Sequence, residues 1–451
     1  MKREALSHPL SIVGVLVTTV SAVLFIVLMI AELAGLLENP YAGLVILVAI
    51  PALFVMGLVL IPIGAALRRR QLALEGAAAD WPVVDFRFPR VRRTALLIAA
   101  LTAVNISIVL LAGYGTLHWM ESPSFCGQVC HTPMHPQFTA WNNGPHARVS
   151  CVSCHIGEGA KGFVHAKLNG VRQLVHVATG NIPQPVPPGA EMPEGTQALT
   201  CGRCHQPGRS VGDRLRIVRE FGDDETNPET TTVLQMHIGA SQSSPRAIHW
   251  HADPAVHIEY VATDAERKTI PYVRVTDAKG QVKEYVAPDT KDEVIRAGTR
   301  RRMDCIDCHN TVGHPIAQTP EAAVDAAIAD GRVSRALPFA RRESIRLVKA
   351  DYPTQEAAAH AIEEGLRSFY KSHGDQAAVA RTITGAQNVY RGNVFPTMKV
   401  TWGTYPTNRG HTTSDGCFRC HDESHMAKDG TTISADCEYC HRQVENAPST
   451  P

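Results

Sequence analysis

Six short segments of this chain carry the residues most able to do chemistry: two cysteines close together, with a histidine directly after the second. The cysteine pairs are Cys126 and Cys130, Cys151 and Cys154, Cys201 and Cys204, Cys305 and Cys308, Cys417 and Cys420, and Cys437 and Cys440, followed by His131, His155, His205, His309, His421 and His441. Five pairs enclose two residues and the first encloses three. In covalent haem attachment, both thiols add to the haem vinyl groups and the histidine becomes an axial ligand of the iron. Since all 12 cysteines fall in these pairs, the sequence predicts six c-type haems.

Other cysteine chemistries fit this pattern less well. Zinc sites also use Cys-x-x-Cys, but they do not repeatedly require a histidine directly after the second cysteine. A thioredoxin-like redox motif occurs singly on a strand–helix unit, and a disulfide framework gives no reason for the histidines. The wide motif, Cys126–His131, leaves a disulfide or free thiols open as alternatives.

The histidines outside the motifs form a second group of candidate ligands. Of 21 histidines, 20 lie after residue 117, and six of these belong to the motifs. Low-spin haems that carry electrons need a second axial ligand, usually histidine or methionine. We expect this ligand from His146, His237, His249, His251, His314, His411 and His425, and from Met134 for the wide motif. Any one of these histidines could instead be a surface or hydrogen-bonding residue, and Met134 could simply fill space.

His249 and His251 flank Trp250. Alternating positions point to opposite sides in an extended chain. We therefore expect only one of these two imidazoles to face an iron.

Three apolar stretches precede the cysteines and are long enough to span a bilayer, which takes about 20 residues. They run from about Ser11 to Leu37, Tyr41 to Leu67 and Thr94 to Leu117. Lys2 and Arg3 precede the first span, and seven arginines lie between the second and third spans: Arg68, Arg69, Arg70, Arg87, Arg90, Arg92 and Arg93. The turn at residues 38–40 has no lysine or arginine. Basic residues favour the cytoplasmic side, so the cysteine region is expected in the periplasm of a bacterial inner-membrane protein.

These patterns predict a fold with an α-helical membrane anchor of three transmembrane helices and a mostly α-helical or irregular multihaem cytochrome c domain. The expected regions are the anchor at 1–117, a three-haem region at 118–210, a β-containing insert at 211–300 and a second three-haem region at 301–451. Three short runs, 258–264, 269–277 and 282–287, predict a small antiparallel sheet with a hairpin turn at 278–280. Helical spacing at 321–328 and 355–373 predicts two helices in a further insert. The proline-rich stretch at 181–193 is expected to be a surface linker.

Composition limits the remaining possibilities. The net charge of +1 indicates no particular partner, and no basic–aromatic patch supports nucleic-acid binding. Aromatic residues make up only 6% of the chain. We attribute this low share to haem macrocycles that occupy the core.

Several segments resemble a known family. Residues 125–134, 144–155 and 167–174 are similar to the NapC/NirT family of membrane-anchored multihaem quinol dehydrogenases. Residues 248–253, 305–310 and 398–411 resemble a longer branch, the inner-membrane cytochromes of metal-reducing bacteria. The standard family has one anchor helix and four haems, so three spans and six motifs are departures. The resemblance implies that Met134 is an iron ligand and that Lys167 contributes to a quinol site.

Together these features predict a hexahaem cytochrome that oxidises quinol, as menaquinol, and relays electrons to periplasmic cytochromes or reductases. Glu121, His118, Lys167 and Arg172 are the candidates for binding the quinol head group or accepting its protons. Glu121 and His118 could equally be a polar helix end at the membrane surface. One alternative function is a non-enzymatic electron conduit that docks a membrane partner, and another is reversed flow that reduces quinone.

Overall fold

The computed structural model describes residues 8–33, 36, 45–75, 86–129, 131–156, 159–187, 200–205, 212–239 and 247–448. The chain divides into two compact units, Met1–Val129 and Cys130–Pro451. Some predicted features lie outside the described residues: Lys2, Arg3, the turn at 38–40, Cys130 and residues 188–193 of the expected linker.

The first unit contains the three predicted membrane spans. Helix α1 covers Pro9–Leu33, α2 covers Ile50–Leu74 after a π-helical turn at Val45–Ala49, and α3 covers Pro89–Met120. Each is long and apolar enough to cross a membrane. Prolines near the first helical positions of α2 and α3 start these helices, because proline needs no hydrogen-bond partner there.

Helices α1 and α2 approach closely through small residues. A Cβ atom on Gly14 would lie 2.8 Å from the Gly57 carbonyl oxygen, so no larger side chain fits at this crossing. The Ser11 hydroxyl donates a hydrogen bond of 3.1 Å to the Ile61 carbonyl oxygen on the facing helix. Small residues and interhelical hydrogen bonds hold helices together in lipid, where apolar burial gains little. They fasten the first half of α1 to the middle of α2.

The second unit combines short helices with two antiparallel sheets. Its first helices are α4 (His131–Asn142), α5 (Cys151–His155) and α6 (Gly159–Ala178). The strands are β1 (Arg214–Phe221), β2 (Glu229–Met236), β3 (His257–Ala262), β4 (Tyr272–Thr276), β5 (Val282–Val286), β6 (Thr299–Arg302), β7 (Met426–Ala427) and β8 (His441–Pro448). The sheet orders are β1-β2-β8 and β6-β3-β4-β5-β7.

The predicted small sheet corresponds to β3, β4 and β5, and the turn at 278–280 joins β4 to β5. Both sheets also recruit strands from the end of the chain, since β7 pairs with β5 and β8 pairs with β2. The region at 211–300 is therefore interleaved with the C-terminal region. The four-part division remains a prediction.

A helical core follows the sheets. Its helices are α7 (Asp292–Ala297), α8 (Cys305–Cys308), α9 (Pro320–Ala329), α10 (Ala340–Val348), α11 (Gln355–Phe369) and α12 (Gln376–Asn393). Thr319, Thr354 and Asp375 cap α9, α11 and α12 by accepting backbone hydrogen bonds. Helices α9–α12 enclose the largest apolar cluster, with Leu337 and Leu366 fully buried. Helices α9 and α11 match the two predicted helices.

Asp307 is a buried junction between the larger sheet and one of the cysteine motifs. Its side chain is only 2% exposed. One carboxylate oxygen accepts hydrogen bonds from the Tyr260 hydroxyl and the guanidinium groups of Arg267 and Arg301, at 2.8–3.0 Å. The other oxygen accepts the Asp304 backbone N–H at the start of α8. The carboxylate thus fixes the turn that carries Cys305 against β3 and β6.

Arg419 connects the same junction to the next motif. Its guanidinium group donates to the carbonyl oxygens of Asp307 and Arg267, at 2.8 and 2.9 Å. The amide of Asn408 donates to the same Asp307 carbonyl oxygen. Because Arg419 stands between Cys417 and Cys420, these hydrogen bonds fix two cysteine motifs relative to each other.

Replacing Asp307 with asparagine should destabilise the second unit. The change leaves Arg267 and Arg301 partly buried without a counter-charge, and breaking a buried pair in this way costs about 3–5 kcal/mol. We expect a fall of roughly 5–10 °C in the thermal unfolding midpoint of the haem-loaded protein. Glu293→Gln is the control, since that side chain is 74% exposed. Equal midpoints for the two variants would contradict a structural role for the Asp307 charge.

Candidate functional site

Every regular cysteine motif lies on a helical turn in the described residues. The second motif forms α5 and the fourth begins α8, whereas the fifth and sixth lie on 3₁₀ turns at Gly416–Arg419 and Cys437–Tyr439. The backbone N–H groups of His205, His309 and His421 donate to the first cysteine of their motifs, at 2.8–3.0 Å. Residues three and four apart share one helix face. The spacing thus places both thiols and the histidine on the same side.

The wide motif begins on a π-helical turn, Phe125–Val129. A π-helix bonds residues five apart and so holds more residues per turn than an α-helix. This suits a motif with one extra residue. The Ser122 hydroxyl accepts the Phe125 backbone N–H and donates to the Trp119 carbonyl oxygen, which fixes the turn after α3. The side chains of residues 128–132 are not described, so the thiol of Cys130 and the ring of His131 are not placed.

Five imidazole pairs are the central feature of the second unit. Each regular motif histidine faces one histidine from outside the motifs. The pairs and the distances between their ring centres are His205 and His146 (6.1 Å), His155 and His314 (6.0 Å), His309 and His249 (6.3 Å), His421 and His251 (5.7 Å), and His441 and His411 (6.1 Å).

These distances test whether the residues suit a haem iron. A metal–imidazole nitrogen bond measures about 2 Å, and the ring centre lies roughly 1 Å further. Two imidazoles on opposite sides of one ion therefore have ring centres about 6 Å apart. All five pairs meet this spacing, and each has two cysteines on the turn that supplies one of its rings. The donor set fits bis-histidine c-type haems.

Hydrogen bonds fix the tautomer of several of these rings. Nδ1 of His251, His314 and His421 lies 2.8–2.9 Å from the carbonyl oxygens of Ile248, Gln137 and Ser434. A carbonyl can only accept, so Nδ1 carries the proton and Nε2 keeps its lone pair. This orientation is the usual one for metal-binding histidines. Nδ1 of His146 makes a longer contact of the same kind, 3.3 Å to the Val312 carbonyl oxygen.

Burial keeps the rings neutral. It lowers the pKa of the six ring side chains His155, His249, His251, His309, His314 and His441. Burial also raises the pKa of the Cys308 thiol to about 11 and that of Cys420 to about 12. Iron ligation requires neutral imidazoles, because the metal binds the unprotonated ring nitrogen. None of the eleven described cysteines is in a disulfide.

The motifs follow one another in space. Electrostatic or hydrogen-bonding neighbours link the second motif to the third, the third to the fourth, the fourth to the fifth and the fifth to the sixth. The linking thiols are Cys154 and Cys201, Cys201 and Cys305, Cys308 and Cys417, and Cys417 and Cys440. The fourth motif, at Cys305, therefore lies between two groups that are far apart in sequence.

His249 and His251 behave differently from the expectation for alternating residues, since both rings face a motif histidine. They lie on a 3₁₀ turn, Ile248–Ala252, rather than on a strand. With three residues per turn, positions two apart point about 120° apart. This geometry directs His249 to the fourth motif and His251 to the fifth.

Two of the seven candidate ligands do not face a motif histidine in the described residues. His425 is 2% exposed, its Nε2 donates to the Ile270 carbonyl oxygen and its Nδ1 lies 2.9 Å from an Asp422 carboxylate oxygen. Both nitrogens of this ring are thus within hydrogen-bond distance of protein oxygen atoms. His237 contacts an Asp213 carboxylate oxygen through Nδ1, and its backbone N–H donates to the Cys440 carbonyl oxygen.

The candidates for a quinol site lie in both units. In the first unit, His118 stacks on Tyr114 with ring centres 6.1 Å apart, and Glu121 follows the end of α3. In the second unit, Met134 is half-buried on α4, and Lys167 and Arg172 lie on α6.

Helix α6 has an exposed apolar stripe. The side chains of Val164, Leu168, Val171 and Val175 are each more than half exposed. Their spacing places them on one face, and Lys167 and Arg172 fall on its two edges. An apolar face with cationic edges suits the surface of a membrane.

Sequence reasoning missed Asp307 and Arg419, which fix the fourth and fifth motifs. Both occupy the same place, the residue directly before the second cysteine. Many residue types can occupy that position in such motifs. A charged residue there therefore did not by itself indicate a structural role. Only the packing of β3 and β6 against α8 shows what Asp307 does.

The chain is similar to known cytochromes. Residues 89–186 match the NapC/NirT cytochrome c family, N-terminal region. A "Cytochrome c-type protein ImcH" of Geobacter sulfurreducens is 35% identical over 458 aligned residues, which cover 98% of this chain and 89% of that relative. No solved structure shows a significant match. The haem motifs, the three spans and this full-length similarity place the chain in the NapC/NirT cytochrome c family, as a membrane-anchored c-type cytochrome of the bacterial inner membrane.

Proposed function

We propose that this cytochrome oxidises quinol, in the form of menaquinol, at the membrane and delivers the electrons to periplasmic cytochromes or reductases. The five facing imidazole pairs, linked in series by neighbouring thiols, are the observation that carries this proposal. A protein that held a single haem for structural reasons would need neither the pairs nor their succession.

The haems would be held by the six thiol pairs and, at each regular motif, by the two histidines that face each other. We infer bis-histidine ligation by the pairs of His155 with His314, His205 with His146, His309 with His249, His421 with His251, and His441 with His411. At the wide motif, His131 and Met134 are the proposed ligands. Bound haem supplies iron that accepts and releases one electron at a time.

The protein's own residues perform the remaining tasks. Burial lowers the pKa of the His251 imidazole and so favours its neutral form. Carbonyl hydrogen bonds keep the Nε2 lone pairs of His251 and His421 directed away from the backbone. The Asp307 and Arg419 hydrogen bonds hold the fourth and fifth motifs in one arrangement. Fixed positions matter because a site for electron transfer gains from preorganised groups that need not move during the reaction.

The quinol end is proposed at the first motif. Oxidation of one quinol to quinone releases two electrons and two protons, so a proton acceptor must lie within hydrogen-bond reach of each hydroxyl. Cys126 follows the end of α3 by only six residues. Glu121 is the proposed base, with His118 as a second acceptor. Lys167 and Arg172 are the proposed cations that stabilise the quinolate. The exposed apolar stripe of α6, which carries both cations, supports a place at the lipid surface.

The number of haems gives the first test. The intact mass of the mature protein should include six covalently bound haems. The double variant Cys126→Ala, Cys130→Ala should lose the mass of one haem, because only the wide motif is removed. A wild-type protein with five haems that keeps all five in the double variant would show that the wide motif binds none.

The second test concerns axial ligation. His411→Ala should convert one low-spin haem to a high-spin form, since it removes the ring that faces His441. His425→Ala is the matched control: its ring hydrogen-bonds to the protein, so haem spin states should stay as in the wild type. Electron paramagnetic resonance of the oxidised proteins distinguishes these states. An unchanged spectrum for His411→Ala would remove this residue from the set of ligands.

The third test addresses quinol oxidation itself. Lys167→Ala should slow menaquinol oxidation about 100-fold, the usual effect of losing one charge-stabilising donor. Dithionite should still reduce every haem in the variant. Lys279→Ala, in the exposed β4–β5 turn, should oxidise menaquinol at the wild-type rate.

Two results would contradict this assignment. An unchanged rate in Lys167→Ala would remove this lysine from the site. A wild-type protein that dithionite reduces but menaquinol does not would indicate an electron conduit that depends on a membrane partner.

A further inference from the structure

The anchor contains a cavity that the family resemblance does not explain. It has a volume of about 570 Å³ and lies among the three membrane helices of the first unit. This volume is within the range of about 300–1,000 Å³ typical of small-molecule sites. The walls are almost wholly apolar and include the rings of Phe25 and Phe54. The lining also contains two hydroxyl residues, Ser21 and Thr116.

The cavity lies at the end of the anchor that leads to the haem motifs. Its α3 residues, from Ile108 to Leu117, come just before Cys126 in the chain. Its α1 residues belong to the second half of that helix, and its α2 residues belong to the first half. Just beyond the cavity, on the side away from Cys126, α1 and α2 are in close contact through Gly14 and Gly57 and through the hydrogen bond from Ser11 to Ile61. The cavity is therefore bounded on that side by tightly packed helices.

Gly113 is the reason that α3 does not fill this space. It lines the cavity, and a Cβ atom built on it would have no other atom within 4 Å. At Gly57, by contrast, the same atom would collide with Thr18 on the facing helix. The glycine of α3 thus leaves room for a molecule, whereas the glycines of α1 and α2 allow close helix contact.

We propose that this cavity binds the isoprenoid chain of the quinol, with the head group directed toward the Cys126 end. The inference rests on the proposed quinol oxidation and adds the place where the substrate is held in the membrane. A lipid acyl chain shares the apolar chemistry of an isoprenoid chain. The quinol is favoured because the cavity lies at the one end of the anchor that continues into a haem motif, where the donor must approach.

The test uses the full-length, haem-loaded protein in lipid nanodiscs and two donors: menaquinol with its isoprenoid chain, and menadiol, which has the same rings without the chain. Gly113→Phe fills the cavity. Leu111→Phe is the matched control, because this residue lies on the same helix, is 69% exposed and does not line the cavity. Dithionite reduction of every haem confirms that each variant is intact.

Gly113→Phe should raise the KM for menaquinol about tenfold with little change in kcat, because it removes binding that does not depend on the reaction step. Menadiol oxidation should stay at the wild-type rate, and Leu111→Phe should leave both donors unaffected. The menaquinone that copurifies with the protein, extracted and quantified by chromatography, should fall in Gly113→Phe alone.

Two outcomes would overturn the inference while leaving the proposed function intact. Wild-type KM and quinone content in Gly113→Phe would mean that lipid fills the cavity. An equal loss of menaquinol and menadiol oxidation would mean that the cavity does not recognise the chain. If the wild type oxidises neither donor, the proposed function itself fails.

Discussion

The second unit is organised around five pairs of facing imidazoles with ring centres 5.7–6.3 Å apart. The motif supplies one ring through local helical geometry, but the second ring comes from a residue 30 to 170 positions away. Closing loops of such length has an entropic cost that local structure cannot offset. In the pair of His251 and His421, both Nδ1 atoms are bound to carbonyl oxygens, so both remaining nitrogens are acceptors. Two such acceptors repel each other, and a metal ion held by His251 and His421 would relieve this repulsion and so contribute to folding.

The buried charges around Asp307 also fix the positions of the cysteine motifs. A buried ion pair gains little stability over apolar packing, because taking the charges out of water offsets their attraction. Its advantage is geometry: one carboxylate receives Tyr260, Arg267 and Arg301 in a single arrangement. Arg419 then extends this arrangement to the fifth motif. Polar interactions of this kind allow only one arrangement of the groups that make them. They therefore suit a protein whose haem motifs must keep fixed positions.

The sequence predicts the features that depend on neighbouring residues. It does not predict the contacts that depend on packing between distant parts of the chain. The motifs, the three spans, α9, α11 and the β4–β5 hairpin follow from spacing and turn residues that lie side by side. The partner of each motif histidine could not be predicted, because any of the seven candidates could face any motif until the chain path is known. Helix α10 gave no start signal, since the residue before it, Phe339, adopts a left-handed conformation with φ of 59° and offers no cap. Strand β8 begins at His441, the last residue of the sixth motif, and the sequence pattern did not predict a strand there.

The anchor follows different physical rules from the haem unit, and this difference explains its asymmetry. In lipid, helices gain nothing from hiding apolar side chains, so they adhere only where small residues allow close contact. Gly14 and Gly57 provide such contact between α1 and α2. On α3, Gly113 removes a side chain without any neighbouring backbone coming closer. A void of this kind forfeits dispersion contacts on its walls unless an apolar molecule fills it. A single anchor helix cannot form such a cavity, so the two additional spans are what the proposed binding of a lipid-soluble donor in the anchor depends on.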